Sequence, residues 1–260
     1  MKVDLHNHTK LCNHAEGEID DFIEAAVKKD IKVFGFSDHA PMEFDKEYRM
    51  NLSQMTLYER NVKEAKERFK DRIEILLGYE VDFLPGFIKE RVLNAKVDYL
   101  IGSVHFLGSW GFDNPEFIGE YKNKDIDKIY QDYFDAIEQM AKSNLFNIVG
   151  HFDLIKVFNF RPKKDVRILA KNALKAIKKS NMVLEISTAG LRKPVKELYP
   201  SRELLEVAYE LNIPITFASD AHRVEDVGYK LEFAQKVAKE IGYRKCAIFR
   251  NKERVFVEID

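Results

Sequence analysis

Seven short apolar runs punctuate the chain, and a longer stretch with helical periodicity follows almost every one. The runs cover residues 2–6, 33–38, 73–81, 99–105, 147–151, 183–187 and 214–219. They are rich in Val, Ile, Phe and Leu and are bounded by polar residues, which marks them as buried strands. Ile19, Phe22, Ile23, Ala26 and Val27 recur at spacings of three and four and form one helical stripe. Residues 57–69, 126–141, 166–178 and 202–211 read the same way, with Ser201 placed to cap the last of them. Residues 224–241 form a weaker helical pattern, interrupted by Gly228. The tail, from Cys246 to Ile259, reads as a hairpin. Alternating strands and helices imply a parallel sheet with crossover helices. A closed or nearly closed barrel and an open doubly wound sheet both satisfy the pattern. No internal repeat, low-complexity stretch or linker divides the 260 residues, so residues 1–260 are expected to form a single domain.

The histidines favour the barrel. The chain has seven: His6, His8, His14, His39, His105, His151 and His222. His6 and His8 end the first run, and His14 follows in the next loop. His39, His105, His151 and His222 stand at or just beyond the ends of four further runs. In a (β/α) barrel, strand C-termini converge on one face, where active sites form. Acids occupy the same ends: Asp4, Asp38, Glu80, Asp153, Asp220 and, within the sixth strand, Glu185. Imidazole with carboxylate is the donor set of zinc, iron, manganese or nickel. A lone strand histidine is ordinarily a packing or surface residue. All seven at strand ends is a pattern that packing does not explain, and it points to a multinuclear metal-dependent hydrolase.

Composition narrows the rest. Forty-two basic residues against 43 acidic ones give a net charge near −1. That balance disfavours nucleic acid as a partner and leaves a small anionic substrate open. Two distant cysteines, Cys12 and Cys246, do not make a disulfide framework. The N-terminus carries no apolar signal core, and no run is long enough to cross a membrane. A cytoplasmic location is the expectation.

The motifs Asp4-Leu-His6-Asn-His8, His14, Ser37-Asp38-His39, Gly78-Tyr-Glu80, Gly102-Ser-Val-His105, Gly150-His151-Phe-Asp153 and Ser219-Asp220-Ala-His222 carry a resemblance. In order and spacing the chain resembles the PHP (polymerase and histidinol phosphatase) superfamily of phosphoesterases. Cys12-Asn-His14, residues 104–113, His151-Phe-Asp-Leu-Ile155 and residues 187–193, followed by Tyr199-Pro200, resemble its histidinol-phosphate phosphatase branch. The resemblance implies a distorted seven-stranded (β/α)7 barrel with its active site at the C-terminal ends of the strands. It also implies three divalent metal ions, zinc, iron or manganese. His6, His8, Glu80 and Asp220 would hold one. Glu80, His105 and His151 would hold the second, with Glu80 bridging, and His14, His39 and His222 the third. The histidines already fill this pattern, so Cys12 is not needed as a ligand.

The expected reaction is hydrolysis of L-histidinol phosphate to L-histidinol and inorganic phosphate, within histidine biosynthesis. A hydroxide bridging the first two metals would attack phosphorus. Arg192 and Arg161, just beyond strands, are candidates for a phosphate clamp, because guanidinium groups pair well with phosphate. Asp38 and Asp153 would either relay a proton to the leaving alkoxide or orient neighbouring histidines. Trp110 and Phe106, with Asp113, could wall a pocket for an imidazole and an amine. Three other readings compete: a PHP phosphoesterase acting on nucleotides or oligonucleotide ends, an amidohydrolase or deaminase, and a non-catalytic metal-binding module. Oligomeric state is not legible.

Overall fold

The structure, a computed structural model describing residues 1–260, has a seven-stranded parallel sheet at its centre. The chain runs β1 (Val3–Asp4), α1 (Ile19–Lys28), β2 (Val33–His39), α2 (Met55–Phe69), β3 (Glu74–Asp82), α3 (Glu90–Leu93) and β4 (Tyr99–Ser103). A small hairpin, β5 (Phe106–Leu107) and β6 (Trp110–Gly111), leads to α4 (Ile126–Ser143) and β7 (Ile148–Val149). Then come α5 (Val166–Leu169), α6 (Lys171–Lys179), β8 (Val183–Ser187), α7 (Arg202–Glu210), β9 (Ile215–Ala218), α8 (Leu231–Ile241), β10 (Lys245–Arg250) and β11 (Glu253–Glu258).

The sheet order is β1-β2-β3-β4-β7-β8-β9, and every pairing is parallel. Its two edges meet: Leu5 N–H donates to Phe217 O (3.0 Å), and His8 N–H donates to Ala221 O (3.0 Å). The result is the nearly closed barrel expected from the strand count. All seven residues of β2 are buried, as befits a parallel strand covered on both faces. A single apolar core of 78 buried residues spans the sheet and its helices. Gly35 and Gly78 leave room for the Tyr99 ring; a Cβ on Gly35 would lie 2.0 Å from the Tyr99 hydroxyl. That hydroxyl donates to Leu5 O, which ties β4 to the first strand across the barrel.

Three sequence expectations shift. The helix read over residues 166–178 divides at Ala170 into α5 and α6. The pattern over 224–241 becomes a short turn and then α8, because Gly228 takes φ +62° and donates its N–H to Asp4 and Ser219. Ser201 stands at the start of α7, but its hydroxyl makes no capping bond; its N–H donates to Asp153 instead (2.9 Å). The tail hairpin is present as β10–β11 in antiparallel pairing. Its Arg250 pairs with Glu74 and its Asn251 N–H donates to Asp98, so it caps the end of the barrel opposite the histidines.

Candidate metal centre

Strand register puts the donors side by side. β2 and β3 run in register over seven pairs, the last being His39 opposite Glu80. Beyond the strands, His151 (φ 23°) and Asp220 (φ 52°) take left-handed backbone conformations where the chain turns at the barrel mouth. Strained non-glycine positions of this kind gather at functional sites. His14, His39, Glu80, His105, His151, Asp220 and His222 all line one cleft of about 560 Å³ at that mouth.

Three groups of donors converge there. The donor atoms of His6, His8 and Glu80 lie within 4.8 Å of one another, and so do those of Glu80, His105 and His151, and those of His14, His39 and His222. Glu80 belongs to two of them. Its Oε2 is 2.9 Å from His39 Nδ1 and 3.3 Å from His6 Nε2; its Oε1 is 2.8 Å from His151 Nε2 and 3.6 Å from His105 Nε2. Asp220 Oδ1 stands 3.1 Å from His8 Nε2 and 3.9 Å from His6 Nε2. A further combination, His8 with Cys12 and His222, is equally compact.

The chemistry of this set fits divalent metal. In five imidazoles Nδ1 faces an oxygen that can only accept: Glu185 for His6 (2.8 Å), Asp38 for His8 (3.3 Å), the Cys12 carbonyl for His14 (2.9 Å), Asp82 for His105 (2.6 Å) and the Asp220 carbonyl for His222 (3.3 Å). One proton therefore resides on Nδ1, which leaves Nε2 as the nitrogen turned toward a metal. His6 Nε2, His39 Nδ1 and His222 Nε2 are buried and complete no hydrogen bond, the Glu80 oxygen beside the first two being close but poorly aligned. Buried polar atoms ordinarily find partners; here a cation would supply one to all three.

Burial and neighbouring charge polarise the cluster. Burial would raise the Glu80 carboxyl, but His6, His39 and His105 hold it well below the usual carboxylate range. Burial, aided by the neighbouring His8 and His14, depresses His39 to about 4 despite Glu80. For His105, burial is outweighed by Asp82 and Glu80, and its pKa is pushed up to about 10. The sign follows. In the metal-free chain the His105 proton stabilises the fold fully below the ordinary histidine range, and that contribution fades as pH rises through about 10. Metal at Nε2 must displace this proton. Zinc binding to the metal-free protein at pH 7 should therefore release at least one proton at this site and tighten as pH rises. Titration calorimetry in buffers of different ionisation enthalpy checks this; a buffer-independent heat would contradict it.

The other expected residues divide. Arg192, Phe106 and Asp113 line the cleft. Arg192 is anchored from behind: Nη2 donates to Ser219 O (2.8 Å) and Asp220 O (2.9 Å), and Nε lies 3.3 Å from Asp226. Its Nη1 is buried and unpartnered. Trp110 is not on the cleft wall. It pairs with Leu107 across the β5–β6 hairpin, while Phe106 pairs with Gly111; alternate residues of a hairpin face opposite sides, so only the second pair meets the cleft. The Trp110 ring packs on Tyr121, under Lys124. Arg161 lies outside the cleft, paired with Glu197 at 2.6 Å. Asp38 is buried behind His8 and also accepts from Thr9 and from the His39 N–H. Asp153 turns away from the histidines to Lys156 (2.7 Å) and the Ser201 N–H.

Two groups escaped the sequence reading. Asp82 lies two residues beyond Glu80 on β3, and strand periodicity puts both on one side of the sheet; that signal could have found it. Arg49, which grips Asp82 at 2.7 Å, comes from a loop with no motif and left no such signal.

A PHP domain model matches residues 4–189, and a PHP-associated model matches residues 201–241. The chain belongs to the PHP family. Among relatives of this PHP protein is a Deinococcus radiodurans protein named "Probable histidinol-phosphatase", 40% identical over 255 residues and covering 96% of this chain and 97% of that one. The Bacillus subtilis "Histidinol-phosphatase" is 28% identical, over 89% of this chain and 97% of its own. In fold, the PHP barrel described here is similar to the crystal structure of a Lactococcus lactis histidinol phosphate phosphatase complexed with zinc, L-histidinol and phosphate. The TM-score is 0.81 at 22% identity, with 98% of each chain covered.

Proposed function

We propose that this PHP protein hydrolyses L-histidinol phosphate to L-histidinol and inorganic phosphate, with three divalent metal ions held by the groups described above. The observation that carries the proposal is the sharing of Glu80 between two donor groups on the floor of a cleft large enough for a small ester. The 40% identity to a named histidinol-phosphatase supports the choice of substrate. When bound, such ions lower the pKa of coordinated water and neutralise phosphoryl oxygens.

The chain's own groups supply the rest. His6, His8 and Glu80, with Asp220 beside them, would hold the first ion, Glu80, His105 and His151 the second, and His14, His39 and His222 the third. Arg192 offers its unpartnered Nη1 to the phosphate, preset by the bonds on its other nitrogens. Asp113, half-buried on the wall, receives the substrate's ammonium group, and Phe106 flanks its imidazole. Asp38 and Asp153 act by holding His8 and Lys156 in place. Arg161 becomes a second arm of the clamp only by leaving Glu197. Residues 1–260 act as one domain, supported by their single core, and two unpaired buried cysteines suit the cytoplasm.

Arg192→Ala should lower kcat/KM on L-histidinol phosphate by roughly 10- to 160-fold, the equivalent of about 1.5–3 kcal/mol for a charged hydrogen bond. Steady-state kinetics at matched metal content check this, and an unchanged kcat/KM would remove Arg192 from the clamp. The function itself is tested by phosphate release from L-histidinol phosphate against sugar phosphates, nucleotides and DNA ends. Preference for histidinol phosphate by orders of magnitude supports it. Preference for nucleotides would leave the metal centre intact and overturn the substrate.

A further inference from the structure

The carboxylates behind the imidazoles are not equivalent. Glu185 and Asp38 are held by backbone or hydroxyl groups and by the imidazoles themselves. Asp82 alone is shared between a histidine and a buried cation. Its Oδ1 accepts from His105 Nδ1 (2.6 Å), and its Oδ2 accepts from Arg49 Nη1 (2.7 Å). Arg49 is only 3% exposed. It lies in the segment between β2 and α2, and its remaining nitrogens donate to Asp45: Nη2 to Oδ2 (2.9 Å) and Nε to the carbonyl (2.8 Å). A guanidinium pinned at three nitrogens has one orientation, and its planar fork passes that orientation to the carboxylate it grips. The carboxylate in turn sets the His105 ring, whose Nε2 then faces Glu80.

We propose that Arg49 is a positioning residue for the metal centre: through Asp82 it fixes His105, so that the Glu80–His105–His151 group alone depends on it. The inference rests on the reading of His105 as a metal ligand. It also links one metal group to a wall of the cleft, because Asp45 and Arg49 both line it. The competing role is plain anchoring of the 40–54 segment, which Asp45 shares.

Zinc titration of the stripped full-length protein, with the retained metal counted after desalting, separates these roles. Arg49→Met should weaken one zinc roughly 10- to 100-fold, the loss typical of groups that orient a metal ligand, while the other two stay near wild type. Arg49→Lys should recover part of that affinity. Asp45→Asn, which weakens one of the three bonds on the guanidinium and leaves those to the Asp45 carbonyl and to Asp82, should weaken zinc far less than Arg49→Met. Wild-type titration by Arg49→Met, or equal weakening by Arg49→Met and Asp45→Asn, would overturn the proposal. Should Arg49→Met not fold, Arg49→Lys and Asp82→Asn carry the test. Weakening confined to one zinc supports the inference; wild-type binding in both defeats it. If the wild-type chain itself takes up no zinc, the ligand reading fails first, and the inference falls with it.

Discussion

Glu80→Gln should reduce kcat/KM on L-histidinol phosphate by roughly a thousandfold or more, because the proposed function makes this carboxylate, shared by two donor groups, the source of several kcal/mol of charge stabilisation for both. The substitution keeps volume and burial, so the barrel should stand. What changes is the chemistry at one point. Glu80 is the only carboxylate within 4 Å of His6, His8, His39, His105 and His151 together. Those imidazoles hold it ionised, well below the usual carboxylate range, against the effect of burial. A neutral amide supplies neither the negative charge nor the second ligand oxygen of the carboxylate, so neither of the two donor groups that share Glu80 would remain complete. Metal counting beside steady-state kinetics should show metal lost along with rate. Near wild-type turnover would mean that the shared carboxylate is not central.

Removing metal should cost stability as well as rate. A ligand that binds only the folded chain stabilises it by about 2.7 kcal/mol at a hundred times its Kd. For a chain of this size each kcal/mol moves Tm by about 2–4 °C, so one such site corresponds to a fall of roughly 5–11 °C on chelation. The metal-free chain should nevertheless remain folded. Its core of 78 buried residues contains none of the donors, and the strands that carry them are held by backbone pairing that needs no metal. In this it differs from small domains whose fold is their metal site. Thermal melts with and without chelator, followed by re-addition of zinc, measure the effect. An unchanged Tm would argue that the histidines are not ligands.

The strands were readable because a parallel strand buried on both faces is written as a continuous apolar run, as in β2 and β3. The histidines were readable because strand ends converge whatever the loops do. Other features depend on pairings far apart in sequence. Arg161 is held by Glu197, 36 residues away, and Asp153 accepts from the Ser201 N–H, 48 residues away; no local pattern announces either. Trp110 was placed beside Phe106 because the two are neighbours in sequence. The hairpin turn, with Gly108 at φ +63°, sends them to opposite faces. Helix ends failed where a single backbone group had a tertiary partner, as Gly228 does with Asp4. The residues of the site's floor were thus legible, as were Arg192, Phe106 and Asp113 on its wall, whereas Trp110 and Arg161 lie off the cleft.

The most direct test is phosphate release from L-histidinol phosphate as zinc is returned, in measured equivalents, to chelated protein. The account predicts negligible activity without metal, recovery as metal is added, and a plateau at three ions per chain. Full activity in protein shown to be metal-free would contradict it.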